Sequence, residues 1–202
     1  MNAPQYTIVK FEQGTREWLE WRHKGIGASD AAAIMGDSLR DTVTDLLRYK
    51  RGPAIDRFPN AATARGLLLE PVARERYILK TGIKVESACL QSNKHEWLRA
   101  SLDGISPNGD TVVEIKCGTS IYRKTSQLHG VPSEYYAQLQ HILAVTGLNS
   151  IDFWCYLPNQ PEILFRVNRD PRYIELLLNR EFSFWQQMQQ ARSFPGTNLS
   201  QS

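Results

Sequence analysis

The sequence has no leucine, isoleucine or valine run longer than three residues, as at Leu67-Leu68-Leu69, and its mean hydropathy is negative. A membrane-spanning helix is therefore not expected. Met1 to Lys10 lacks the charged-then-apolar order of a signal sequence, which predicts a soluble, intracellular chain. Cysteine is scarce and scattered. Cys89, Cys117 and Cys155 are odd in number and far apart, a pattern that argues against a disulfide framework or a zinc knuckle and predicts reduced thiols. An excess of charge is missing too: a formal net charge of +3 is too small for a protein that coats nucleic acid through bulk electrostatics. The histidines, His23, His95, His129 and His141, show no metal-ligand spacing.

What is present is enough apolar material, 42% of 202 residues, to bury one sizeable core. One globular domain over 1–202 is expected, with a disordered polar tail from Ser193. Thr15 is placed to cap a short helix ending at Gly25, with Trp18, Leu19 and Trp21 as packing residues. The turn Gly25-Ile26-Gly27-Ala28-Ser29-Asp30 leads into a helix over Ala31 to Met35, closed by Gly36. A further helix is predicted near Thr42 to Lys50. Another runs from a cap at Asn60 to Gly82, kinked at Pro71, with Glu70 beside the kink.

The pattern then changes to strands, at Lys84–Leu90, Leu98–Leu102, Thr111–Cys117, Ser150–Leu157 and Glu162–Val167. A helix capped by Ser133 carries Tyr135, Leu139, Ile142 and Leu143 on one face, and Asp170-Pro171 opens the last helix. The fold class expected is α/β (α+β), a central mixed sheet flanked by helices. Clusters such as Arg22-His23-Lys24, Arg48-x-Lys50-Arg51, Arg74-x-Arg76 and Arg123-Lys124 have the charge to follow a phosphate backbone, or are solvated helix faces. Arg40, just past the glycine turn, is a candidate for entering a DNA groove.

Asn108-Gly109 is the strongest hairpin signal, because both residues accept the positive φ of a two-residue type I′ turn. In a hairpin centred there, or on a symmetric four-residue loop, Asp103 lies opposite Glu114 and Ser101 opposite Lys116, all on one face. Two carboxylates opposed across a ladder repel unless a cation lies between them, and Mg²⁺ is suited to carboxylate, water and phosphate oxygens together. An exposed hairpin with ordinary surface charges is the other reading. The apolar run Thr111-Val112-Val113 favours a buried strand and hence a purpose for its charges.

Ser101-Leu102-Asp103-Gly104 followed by Glu114-Ile115-Lys116 resembles the PD-(D/E)xK nuclease signature. Together with Trp18-x-x-x-Arg22, Gly27-Ala28-Ser29-Asp30, Gly66-x-x-x-Glu70, Tyr135-Tyr136-x-Gln138-x-Gln140-His141 and Thr146-Gly147, it resembles the phage lambda exonuclease family, also called YqaJ-like viral recombinases. The likeness runs from about Thr15 to Leu157.

The resemblance implies a PD-(D/E)xK core in which Asp103, Glu114, Glu70 and the Ile115 carbonyl bind two Mg²⁺ ions, with Mn²⁺ able to substitute, and Lys116 orients the attacking water. It implies that Arg22, Ser29, Ser101 and Gln138 hold a 5′-terminal phosphate, with Gln138 also counted among the catalytic residues. Asp30 is an awkward neighbour for an anion, unless it turns away or pairs with a base. The activity implied is 5′-to-3′ digestion of one strand of linear double-stranded DNA, leaving 3′ overhangs for recombination. A homotrimeric ring, a single-strand annealing recombinase as partner, a phage or prophage origin and a cytoplasmic setting are implied in the same way. Two alternatives stay open: a restriction-type or structure-specific endonuclease on the same core, and a non-catalytic DNA-binding ring. His141 is expected to stabilise its helix rather than act as a base, and Cys117 to be a strand residue.

Overall fold

A computed structural model of the chain describes residues 5–55 and 61–192. The predicted cap Asn60 and the tail from Ser193 lie outside them. The elements are β1 (Tyr6–Val9), α1 (Arg16–His23), β2 (Ile26–Gly27), α2 (Ala31–Met35), α3 (Val43–Arg51), α4 (Ala61–Thr81), β3 (Glu86–Ser92), β4 (Leu98–Ile105), β5 (Val112–Cys117), α5 (Thr119–Leu128), α6 (Tyr136–Thr146), β6 (Ser150–Tyr156), β7 (Ile163–Asn168) and α7 (Pro171–Arg192).

The strands form one seven-stranded mixed sheet in the order β1-β3-β4-β5-β6-β7, with β2 pairing parallel to the start of β4. β5 and β6 are parallel, which requires a crossover, and α5 and α6 supply it. Alternation along β5 and β6 divides the core. Val112, Ile151, Phe153 and Cys155 pack with Leu139, Ile142 and Leu143 of α6 and with α7, whereas Val113, Ile115 and Trp154 pack with Ala73 and Tyr77 of α4. Strands with apolar residues on both faces must be covered on both, so β5 lies inside the molecule as its composition required.

The helix ends follow the local chemistry. The Thr15 hydroxyl accepts from Trp18 N–H, and Thr42 and Asp45 cap α3 reciprocally. Gly36, Gly82 and Gly147 have positive φ where α2, α4 and α6 stop. Ser133 starts a 3₁₀ turn rather than capping α6 with its side chain. α4 is one uninterrupted helix across Pro71. β1, the short β2 and α5 are additions to the sequence-based expectation. β2 is two residues long, and Gly25 before it runs so close to the neighbouring chain that an added Cβ would lie 2.7 Å from the Trp97 carbonyl oxygen.

The hairpin differs in its turn and keeps its register. Ser106 O accepts from Gly109 N–H at 2.9 Å, and only Gly109 of the Asn108-Gly109 pair has positive φ, so the reversal is a four-residue loop and not a type I′ turn. Ser106 organises that loop, its hydroxyl accepting from the N–H groups of Asp110 and Thr111 and donating to the Asp110 carboxylate. Ile105 pairs with Val112 and Gly104 with Val113, the alignment expected of a symmetric loop.

Candidate active site

The β4–β5 ladder ends at Gly104↔Val113, while β5 stays paired with β6 from Val113 to Cys117. β5 thus follows β6 and separates from β4 where the acids lie. Asp103 and Glu114 are not ladder partners as a regular hairpin would make them; instead the Asp103 carboxylate accepts the Ile115 N–H at 2.8 Å, taking the place of a strand carbonyl. Ser101 is likewise not a ladder partner of Lys116, since the β4–β5 pairing reaches no further than Gly104↔Val113.

The charged groups nevertheless meet. Glu114 is only 2% exposed, and its Oε1 accepts from Lys116 Nζ at 2.5 Å and from Gln138 Nε2 of α6 at 2.6 Å. Its other oxygen, Oε2, is buried without a hydrogen-bond partner. Burial, reinforced by Glu114 and Glu70 and opposed by Lys116, pushes the Asp103 carboxyl well above the usual carboxylate range. Burial raises the Glu70 carboxyl as well, with Arg74 opposing and Glu114 adding to it. At Lys116, burial pulls the ammonium down but Glu114 and Asp103 outweigh it and leave it above its ordinary value. Its Nζ also lies 5.1 Å from the centre of the Tyr135 ring.

Arg74, noted in the sequence only as part of a basic cluster, proves to belong here: it donates to Glu70 at 2.6 Å and to the Asp103 carbonyl at 2.7 Å, tying α4 to β4. Its spacing of four from Glu70 on one helix was the available signal.

Among the described residues, no three or more His, Cys, Asp or Glu side chains are already gathered about a metal position. The acids lean on protein donors instead. The donor chemistry still fits a hard divalent cation, because it is all oxygen and because Glu114 Oε2 is a desolvated acceptor with nothing to accept. Cys117 is a strand residue whose thiol is pushed up to about 12, first by burial and then by Cys155 and the nearby carboxylates, far from the thiolate a nucleophile needs.

The second group of candidates forms its own cluster. Arg22, near the end of α1, donates to the Ser29 hydroxyl and lies over the Trp18 ring, its guanidinium carbon 5.2 Å from the ring centre. Trp18 Nε1 donates to Ser101 Oγ at 2.8 Å, which links Ser29, Arg22, Trp18 and Ser101 in one chain. Trp18 is therefore a positioning group as well as a packing one. Gln138 belongs to the acid cluster through Glu114 and, among the described residues, makes no hydrogen bond to Arg22 or Ser29. Asp30 turns inward to Lys50 at 2.7 Å, not to Arg22. Arg40 is exposed in the α2–α3 connection, its N–H bonded to Ser38 Oγ. His141 is buried, with Nδ1 2.7 Å from Glu181 and Nε2 2.8 Å from the Arg99 carbonyl, so it joins α6 to α7 and β4. Cavities of about 290 and 480 Å³ lie away from the acids, against α7 and beside Lys94 and Arg169 respectively. No helix among the described residues is long and apolar enough to cross a membrane.

A family model described as the YqaJ-like viral recombinase domain matches residues 17–149, a stretch that contains every candidate site residue. The uncharacterized protein YqaJ of Bacillus subtilis strain 168 is 27% identical over 179 residues, 86% of this chain and 56% of that protein. The uncharacterized protein R354 of Acanthamoeba polyphaga mimivirus is 27% identical over 160 residues, 72% of this chain and 29% of that protein. The chain thus spans less than two thirds of the length of either relative. Among solved structures, the alkaline exonuclease LHK-Exo from Laribacter hongkongensis is 29% identical, with a TM-score of 0.75 over 89% of this chain and 95% of that one; its complex with dAMP gives 0.77 over the same shares. A phage-related exonuclease from Haemophilus somnus 129PT, 15% identical with a TM-score of 0.59 over 89% of this chain and 100% of that one, shares the fold.

Proposed function

Because the chain belongs to the YqaJ-like viral recombinase domain family, we propose that it is a Mg²⁺-dependent deoxyribonuclease that digests one strand of linear double-stranded DNA from a 5′-phosphorylated end. The observation that carries this reading is Glu114: a carboxylate 2% exposed, with one oxygen unpartnered, placed among Asp103, Glu70 and Lys116. Lys116 and Gln138 serve one oxygen only; the other is desolvated with nothing to accept, beside two further carboxylates, and that arrangement favours a further cation. The likeness to LHK-Exo, an alkaline exonuclease, supports the nuclease reading.

Asp103, Glu114, Glu70 and the Ile115 carbonyl would hold the metal, two Mg²⁺ per site, with Mn²⁺ able to replace them. The bound ions would supply Lewis acidity toward the scissile phosphate and favour a deprotonated attacking water. Lys116, kept protonated by its acidic neighbours, donates to that water and opposes charge building on the phosphate. Tyr135 and Glu114 fix the direction of its ammonium. Gln138 steadies Glu114 Oε1 and leaves Oε2 to the cation. Arg22, Ser29 and Ser101 bind the 5′-terminal phosphate, with Arg22 offering a planar fork to its oxygens. Release of successive nucleotides from that end leaves a 3′ single-stranded tail suited to a single-strand annealing partner. A homotrimeric ring around the duplex would keep a chain of net charge +3 on its substrate, and host cytoplasm is the compartment that suits this role.

The test is a comparison of 5′-phosphate linear duplex, 5′-hydroxyl linear duplex and covalently closed circles in Mg²⁺. Digestion fastest on the first and absent on the circles is the expected result. Equal cutting of circles would make the protein an endonuclease on the same core, and binding without cutting of any substrate would make it a DNA clamp.

A further inference from the structure

Asp30 follows directly after Ser29, so a carboxylate stands beside a site read as binding an anion. Its neighbour explains how this is tolerated. Lys50, 1% exposed, comes from α3 and points its ammonium inward to Asp30 Oδ2 at 2.7 Å, Gly25 O at 2.9 Å and Arg22 O at 3.2 Å. Three acceptors use the three hydrogens of an ammonium. Asp30 Oδ2 also accepts from Gly27 N–H at 2.9 Å.

One buried side chain therefore holds the end of α1, the glycine turn and the segment that carries Ser29. None of its donors is left for a ligand. Its effect on a ligand must run through Arg22 and Ser29, and there are two routes. The first is geometric, since the Arg22 and Gly25 carbonyls and the Asp30 carboxylate are tied to a single ammonium. The second is electrostatic: Arg22 Nε and Asp30 Oδ2 both border Gly27, 3.4 and 3.7 Å from where a Cβ there would stand, so with Lys50 absent the guanidinium is a cation within reach of Asp30. A guanidinium paired with Asp30 would turn away from Ser29 and lose its fork for phosphate oxygens.

We propose that Lys50 is a positioning residue for recognition of a 5′-terminal phosphate: by occupying Asp30 it keeps Arg22 on Ser29 and available to a phosphate monoester. The selectivity follows from charge, because a terminal monoester carries about −2 and an internal diester only about −1, so a free arginine favours the end. The proposal rests on the reading of Arg22, Ser29 and Ser101 as a phosphate pocket.

The experiment measures KM and kcat for release of the first nucleotide only, from linear duplex with 5′-phosphate or 5′-hydroxyl ends, since every later end is phosphorylated, for wild type, Lys50→Met and the double variant Asp30→Asn/Lys50→Met. Lys50→Met is expected to lower the phosphate-to-hydroxyl preference about tenfold or more, through KM on phosphorylated ends, consistent with the loss of a charge-assisted bond. kcat and activity on hydroxyl ends should change little. The double variant, with no acid to recruit Arg22, should regain most of the preference. Should Lys50→Met not fold, Lys50→Gln keeps donors for the two carbonyls without neutralising Asp30, and the same loss is expected. A parallel decline on both substrates, an unchanged preference in the single variant, or no recovery in the double variant would overturn the role of Lys50. Absence of any phosphate preference in the wild type would instead remove the pocket reading beneath it.

Discussion

The acid cluster and the Arg22 cluster handle charge in opposite ways. Around Glu114, carboxylates are crowded, one oxygen has no partner, and Asp103 is pushed toward its neutral form. Around Arg22, the inward acid has its own buried lysine, and the arginine bonds to a neutral hydroxyl. The first arrangement is deficient in positive charge and fits a cation, whereas the second is internally balanced and leaves one guanidinium to spare, which fits an anion. A difference of this kind separates residues suited to a cation from residues suited to an anion.

The contrast can be broken from either side. Lys116→Ala should have the largest effect, a loss of about 10³-fold or more in single-turnover cleavage with DNA binding retained, because the group acts where charge develops. Retained cleavage would show that Lys116 is only a partner of Glu114. Arg22→Ala should cost about 10- to 100-fold on 5′-phosphate ends and little on 5′-hydroxyl ends, as read from end-labelled duplex. Equal losses on both would merge the two clusters into one.

Stability gives a smaller and opposite signature. Asp103→Asn removes one of the repelling carboxylates while its amide oxygen can still accept from Ile115 N–H, so the metal-free protein should gain about 1 kcal/mol, roughly 2–4 °C in melting temperature. Mg²⁺ should raise the melting temperature of wild type and leave that of the same variant unchanged. A destabilised Asp103→Asn protein would mean that the cluster is not under repulsion.

The smallest effect concerns the buried His141–Glu181 pair. Burial pulls His141 down, but Glu181 and the Arg99 carbonyl outweigh it and hold it above its ordinary 6.5, while burial raises Glu181 itself. A histidine whose folded value is raised stabilises fully below about 6.5 and loses that contribution as pH climbs through the folded value; a glutamate raised by burial loses stability in the same direction. Thermal melts from pH 6 to 9 should therefore fall by about 1 kcal/mol more in wild type than in Glu181→Gln. Parallel curves would show that the pair does not change protonation over that range.

Much of this was legible because the decisive features are local. The alternation in Val112 to Cys117, the glycines closing three helices and the symmetry of the 104–113 register all depend on residues close in sequence. The turn type was misjudged because a proline at 107 and the Ser106 hydroxyl favour a longer loop than Asn108-Gly109 alone would. The separation of β4 from β5 was hidden, since it follows from the pull of β6, about forty residues further along. Lys50 and Arg74 were concealed for a related reason: each reads as one basic residue in a cluster, and only the packing of α3 on the glycine turn and of α4 on β4 gives them buried partners. β1 and β2 lacked a signal of their own, being short and defined by pairing with β3 and β4.

The central claim is that Asp103 and Glu114 share a cation and that cleavage depends on it. Release of labelled nucleotides from linear 5′-phosphate duplex, followed against Mg²⁺ concentration for wild type and Glu114→Gln, tests it most directly. The account predicts saturable Mg²⁺ dependence in wild type, no product in chelator, and near-complete loss in Glu114→Gln. Cleavage by wild type in chelator, or full activity in Glu114→Gln, would contradict it.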